Sequence, residues 1–306
     1  MRTAYYLFTI TIAIILLGQP WPTAKNATRE HERIEVMATP VWISSNGDWG
    51  NTASWSTGSV PVSSDLVIFD GISSNRSVTG GLNQTGVNLA ELQISPAYTG
   101  NIGLTGNPLV IDSLKVLHRG SGTLYWKAET DATRIRIDSP NLIAAAVLSG
   151  SSSGWRLAVK KGHVTCDDTV NNIRELRIMR DNAIVFVEKN GSTQIDSFVM
   201  TAGFCENNRG ITGDDGTGVN RQAVVSGGLF VHQEGAVDFL RILGGNVEWN
   251  ASELLGSALV GSGVLDLTKT GNAKQINELE IFPGADVFLT TQTAVGNTFD
   301  YREDIP

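Results

Sequence analysis

A triplet of apolar residues recurs along most of the chain: one apolar side chain, a second three positions later, and a third two further on. It reads as Leu89-Leu92-Ile94, Ile111-Leu114-Val116, Ile173-Leu176-Ile178, Ile195-Phe198-Met200, Val237-Leu240-Ile242 and Ile276-Leu279-Ile281. Weaker copies are Ala132-Ile135-Ile137, Gly154-Leu157-Val159 and Leu255-Ala258-Val260. Successive starts from 89 to 276 are 22, 21, 22, 19, 22, 42, 18 and 21 residues apart. The long interval equals two ordinary ones, so the period is about 21, within the range of solenoid repeats. The last two members of each triplet are two apart, which puts them on one face of a strand, and the first lies across a bend.

Each unit also carries a second short strand after a Gly or Asn turn, as in GTLYW (122 to 126), GHVTC (162 to 166), NAIVFV (182 to 187), GNVEW (245 to 249) and GADVFL (284 to 289). One such unit cannot bury its own apolar face. Stacked at about 4.8 Å per rung, the units form parallel sheets around a continuous core. The expected fold is all-β, a right-handed parallel β-helix of about ten rungs, with Leu114, Leu176, Leu240 and Leu279 in corresponding inward positions. A leucine-rich repeat would need more leucines and a helical half. A β-sandwich would not repeat one triplet at multiples of one period.

Composition agrees with many strands and tight turns: 18% of residues are charged and 33 are Gly. The net charge is −8 and Lys and Arg are scattered, so nucleic acid is not an expected partner. Cys166 and Cys205, the only two cysteines, are read as separate buried thiols, because two are too few for a disulfide framework and lack zinc-site spacing.

Three segments follow from these boundaries. Residues 1–36 form a signal-like stretch and linker: Tyr5 to Leu17 is apolar apart from threonines, follows Arg2 and stops at Gly18-Gln19-Pro20, which points to secretion. Met37 offers a second start just before the first folded motif, and translation from it would remove that signal. Residues 37–80 are expected to cap the N-terminal end, and 81–306 to form the β-helix. Within the long interval, residues 206–222 (ENNRGITGDDGTGVNRQ) are polar and Gly-rich and read as a projecting loop, with Arg209, Asp214, Asp215, Asn220 and Arg221 as candidate interaction residues.

The cap segment reads WISSNGDWGNTASWSTGSVPVSSDLVIFDG, with Trp42, Trp49 and Trp55 followed by Val60-Pro61, Asp65, Val67 and Phe69. It resembles the opening of secreted, autotransporter-like β-helical proteins and of β-helical structural proteins of phages, although Ser54 stands where Asn commonly precedes the third Trp. The resemblance covers about thirty residues and implies an architecture and a setting, extracellular or cell-surface, or within a phage virion. The chain closes on FDYREDIP, which fits a free secreted protein or a virion component better than one that translocates itself. The three tryptophans have two readings: an aromatic cap over exposed strand edges, or a platform on which sugar rings stack.

A β-helix also hosts carbohydrate-active enzymes, and hydrolysis requires two carboxyl groups flanking the bond. The acidic pairs here, Asp167-Asp168 and Asp214-Asp215, are adjacent in sequence and fall in turns. Lys160-Lys161 lies one coil from Arg134 and Arg136, a basic patch without an acidic cluster. His31, His118, His163 and His232 do not fall at metal-ligand spacing, and GDDGTG (213 to 218) lacks the Glu of a calcium loop. No cofactor, metal or catalytic residue is expected. The expectation is a non-catalytic structural or adhesive solenoid that self-associates or joins a larger assembly, with surface polysaccharide as a further partner class. A polysaccharide lyase or glycoside hydrolase is the alternative.

Overall fold

In the computed structural model, residues 37–129, 133–151, 154–189, 194–211 and 222–302 are described. Residues Met37–Pro306 group as one compact unit, and the signal-like segment and linker lie outside the described residues. The fold is a parallel β-solenoid. Its only helical element among the described residues is a single 3-10 turn at Thr52–Ser54, and no described helix is long and apolar enough to cross a membrane.

A first long ladder begins at Leu66–Phe69, which pairs in parallel with Glu91–Ile94. It continues through Lys115–His118 and Arg134–Asp138 to the start of the long strand Trp155–Cys166. The same register then runs through Ile173–Ile178 and on to Thr293–Asp300. Its central position is held in turn by Val67, Leu92, Val116, Ile135, Leu157, Leu176, Phe198, Ala223, Leu240, Ala258 and Leu279, all buried, and at the last coil by the exposed Thr298. Eleven steps cross the 231 residues from Val67 to Thr298, a mean of 21 residues per coil. At rung spacing the ladder is about 50 Å long.

A second ladder runs through Leu124–Lys127, Ala146–Ser149, the end of Trp155–Cys166, Ala183–Val187, Phe204–Asn207 and Leu229–His232, then on to Ala285–Phe288. The core lies between the ladders, where Leu92, Leu176, Phe198, Val164, Val185 and Val247 are fully buried. Close stacking at the corners demands small residues. At Gly150 φ is 113°, and a Cβ there would come within 1.9 Å of the Ala128 carbonyl oxygen.

Leu176, Leu240 and Leu279 occupy corresponding buried positions, as the repeat requires. Leu114 does not. It is 56% exposed, and Val116 takes the central position of that coil. The inner triplet there is Ser113-Val116-His118, in register with Leu89-Leu92-Ile94. Two of its members are polar, and this hid it behind the apolar run beginning at Ile111. Ala132 lies outside the described residues, and in the weak copy Gly154-Leu157-Val159 it is Trp155, not Gly154, that pairs with Ile173 at the first position.

The long interval does contain one further coil, whose inner residues include Ile211 and Ala223. In the coils that begin at Ile173, Ile195, Val237, Leu255 and Ile276 the first and second inner positions are three residues apart, whereas here twelve separate them. The insertion is therefore confined to this bend. Glu206, Asn207 and Ile211 are strand residues of the solenoid and not part of a loop, and residues 212–221 lie outside the described residues.

Candidate anion-binding face

The outward side chains of the first ladder make two parallel rows along the solenoid. The row just before the central position reads Glu91, Lys115, Arg134, Arg156 and Glu175, each the direct neighbour of the next across adjacent coils. Lys115 and Glu91 are joined by an ion pair of 2.9 Å at one end. At the other end Glu175 pairs with Arg177, whose Nε donates to Glu175 Oε1 at 2.6 Å. The fence of acids at both ends leaves Arg134 and Arg156 exposed and without an ion pair among the described residues.

The second row, two residues further along each strand, alternates aliphatic and cationic groups as Leu117, Arg136, Ala158 and Arg177. Together the rows line a depression of about 410 Å³, with Leu117 and Ala158 as its outward aliphatic side chains among guanidinium and ammonium groups. Three of these four coils turn a corner into a second depression of about 480 Å³, lined by Lys160, Lys161 and Arg180 with Asp138 and Asp181. Eight of the chain's 23 Lys and Arg line these two depressions, against three acids, in a chain whose net charge is −8. The cations, scattered in sequence, are gathered by the register.

Stacking like charges on neighbouring strands opposes folding. Two unit charges one rung apart repel by up to about 1 kcal/mol in watery surroundings. Nothing in the core requires cations at Arg134 and Arg156, whose side chains point outward. Guanidinium forks suit carboxylate or sulfate oxygens, so the row has the chemistry to hold anionic groups.

The other residues singled out in the sequence are put to structural use. Trp42, Trp49 and Trp55 are buried and packed edge-on, with centroids 5.0 Å (Trp42 to Trp55) and 4.7 Å (Trp49 to Trp55) apart, above Phe69. Trp42 Nε1 donates to the Arg76 carbonyl at 2.9 Å and Trp55 Nε1 to the Trp49 carbonyl at 2.8 Å. They form the aromatic cap, and no face is left on which a sugar ring could stack.

Arg209, expected as an interaction residue, is 2% exposed and points into the coil stack. Its guanidinium donates to the carbonyls of Glu188 (2.6 Å), Val170 (2.7 Å), Asn171 (3.0 Å) and Asp167 (2.8 Å). Reading it as a loop side chain missed that a corner bringing several carbonyls together needs a buried fork of donors. Asp214, Asp215, Asn220 and Arg221 lie outside the described residues. Asp167 accepts from the Thr169 backbone N–H at 2.9 Å in a surface turn, and Asp168 beside it is exposed.

Two histidines sit inside the stack. Burial pushes His118 and His232 down to about 4, so both are neutral at physiological pH. His118 Nε2 lies 3.1 Å from the Gly122 carbonyl and 3.0 Å from that of Ala145. His232 Nε2 donates to the Gly235 carbonyl at 2.7 Å, which leaves Nδ1 to accept from Asn207 Nδ2 at 3.2 Å. The Trp249 ring covers it at 4.4 Å.

Cys166 and Cys205 are free and buried, and burial pushes the Cys166 thiol up to about 12. Cys166 aligns with Asn207 through Val187, so Cys205 lies two coils away, about 10 Å, beyond disulfide reach. Among the described residues no group of three or more His, Cys, Asp or Glu could hold a metal ion. The chain matches no family model, no curated protein and no solved structure.

Proposed function

We propose that this chain is a non-catalytic structural or adhesive β-solenoid, secreted, displayed on a cell surface or built into a virion, and that it holds an anionic partner on the outer face of its first ladder. The observation that carries this reading is the row Lys115, Arg134 and Arg156, three cations on consecutive coils, of which Arg134 and Arg156 have no ion pair among the described residues. A rigid ladder fixes their spacing before any partner arrives, and preorganisation of this kind lowers the cost of binding.

Binding is favoured over cleavage by the groups present. Glu175 is the one acid lining the groove and is tied to Arg177, whereas glycoside hydrolysis draws on two carboxyl groups. The test is retention of the purified protein on anionic and on neutral matrices, with parallel assays for reducing and unsaturated sugar ends. Salt-sensitive retention on the anionic matrix without new ends is the expected result. Turnover on any polysaccharide, abolished by changing a groove residue, would replace this reading with the enzymatic one.

A further inference from the structure

The two ends of the first ladder are finished differently. At the N-terminal end residues 38–42 run along Leu66–Phe69 and take up its edge. Leu66 N–H donates to the Ala38 carbonyl (3.0 Å), Ile68 N–H to that of Pro40 (3.0 Å), and Trp42 N–H to that of Ile68 (2.9 Å). At the other end Thr293–Asp300 pairs with Lys274–Ile281, and no other described strand pairs with it. The core opens there too: Leu265, Ile276 and Leu279 are buried, whereas one coil on Val287 and Val295 are half-buried and Thr298 is exposed. Phe288, Phe299 and Tyr301, the only exposed aromatic side chains among the described residues, all lie on this last coil. Edge strands are commonly guarded by Lys, Pro or a net charge. This one, TAVGNTFD, has neither Lys nor Pro, and its single charge, Asp300, accepts from Arg302 Nε at 2.9 Å.

We infer that a second copy of this chain docks on the open end, its Thr293–Asp300 pairing antiparallel with the same strand of the first about a two-fold axis between Gly296 and Asn297. The symmetry of the strand itself selects this occupant. Its inward positions, fixed by register with Lys274, Ile276, Leu279 and Ile281, are Thr293, Val295, Thr298 and Asp300. They are spaced evenly about the 296–297 peptide. Turned end for end, the strand sets Val295 against Thr298, Thr293 against Asp300 and Ala294 against Phe299, so inward side chains meet inward ones and outward meet outward. A slip of one residue destroys that match.

The backbone has the same symmetry. The Gln292 carbonyl accepts from Lys274 N–H and Tyr301 N–H donates to the Ile281 carbonyl, so both residues turn their polar groups toward the preceding coil. Alternating inward from each, residues 293, 295, 298 and 300 turn theirs to the open edge. These are the residues that the two-fold sets opposite one another, as a hydrogen-bonded antiparallel pair requires. Thr293 N–H is already used by the Thr290 carbonyl at 3.1 Å, which leaves its own carbonyl for Asp300 of the second copy. No like charges are set opposite each other, and the open core ends come face to face. Because the N-terminal edge is occupied and its core filled by tryptophans, copies cannot add head to tail, and the assembly closes at two.

The experiment is sedimentation equilibrium of the full chain over a range of concentrations up to millimolar. The expected mass is that of two chains, falling to one on dilution, with the amides of Val295, Thr298 and Asp300 exchanging more slowly in the dimer. Thr298→Lys, harmless on the exposed end of a single chain, buries an ammonium against Val295 of the second copy and should weaken the dimer about ten-fold or more. Ala294→Glu and Phe299→Lys should each weaken it, and the two together should restore it by forming an ion pair across the interface, with circular dichroism unaltered in all three. Arg134→Ser, on the side of the ladder, should change nothing. Added salt should tighten the dimer, since each chain carries a net charge of −8, and this is opposite to its effect on an anionic partner of the outer face. A single-chain mass at every concentration, a mass that grows past two chains, a dimer indifferent to Thr298→Lys, or a double variant weaker than either single one would each overturn the arrangement and leave the anion-holding face untouched.

Discussion

Replacing Arg209 by alanine strips four backbone carbonyls of one buried donor group. The guanidinium reaches Asp167, Val170, Asn171 and Glu188, residues of two different coils, and its bond to Val170 is fully enclosed. A buried acceptor left without a partner costs about 1–3 kcal/mol. The other three carbonyls border solvent and recover part of their loss by hydration. With the lost packing of the side-chain stem, the total should be about 3–5 kcal/mol, comparable to removing one member of a buried charged pair. Arg209→Lys keeps the charge but not the planar fork and should cost about half as much. Urea denaturation followed by circular dichroism measures the loss. Amide exchange should also rise around residues 167–171 and 187–189 while the strands at 66–69 and 91–94 stay protected, because coils contact only their neighbours. A change below about 0.5 kcal/mol with unaltered exchange would refute the assignment of Arg209 as a corner plug.

Leu176→Ala should cost about 2–5 kcal/mol as a core truncation, and Leu114→Ala less than about 0.5 kcal/mol as an exposed change, both read by the same denaturation. Acid should destabilise the solenoid through His118 and His232. Both have folded values near 4 against an ordinary 6.5, so the unfolded chain takes up protons first as pH falls. Their contribution is whole above about pH 6.5 and lost progressively down to about pH 4, on the order of 3 kcal/mol each. Replacing both by apolar residues should flatten stability against pH across that window, and an unchanged acid slope would contradict the neutral buried state. Trp55→Ala should cost about 3–5 kcal/mol by opening the aromatic cap. A variant as stable as the parent would argue that the cap carries no load.

The solenoid was legible because its period is written in residues that must be apolar. Leu176, Leu240 and Leu279 stack as the triplets require, and the tryptophans at 42, 49 and 55 close the end that an open ladder would expose. Where the core turned polar, the pattern misled. Ser113 and His118 occupy inward positions, so the apolar run at Ile111 suggested a register shifted by two residues and put Leu114 inside. Arg209 was hidden for a related reason: a buried arginine is recognisable only from the carbonyls around it, which lie 21 to 42 residues before it in the chain. Of the cations lining the two depressions, Arg134, Arg136, Lys160 and Lys161 were visible as a basic patch. Lys115, Arg156 and Arg177 joined it only through pairing register, a long-range property that local composition does not carry.

The working surface of the molecule can be located directly by mapping which side chains a bound acidic polymer shields. Lysine and arginine labelling of the full chain, with and without polygalacturonate and read by peptide mass spectrometry, compares every cation at once. The groove account predicts strong protection of Lys115, Arg134 and Arg156, weaker protection of Arg136 and Arg177, and none at Lys189 or Lys269. Protection centred instead on Arg221 in the inserted segment, with Lys115, Arg134 and Arg156 labelled as fast as in the free protein, would contradict it.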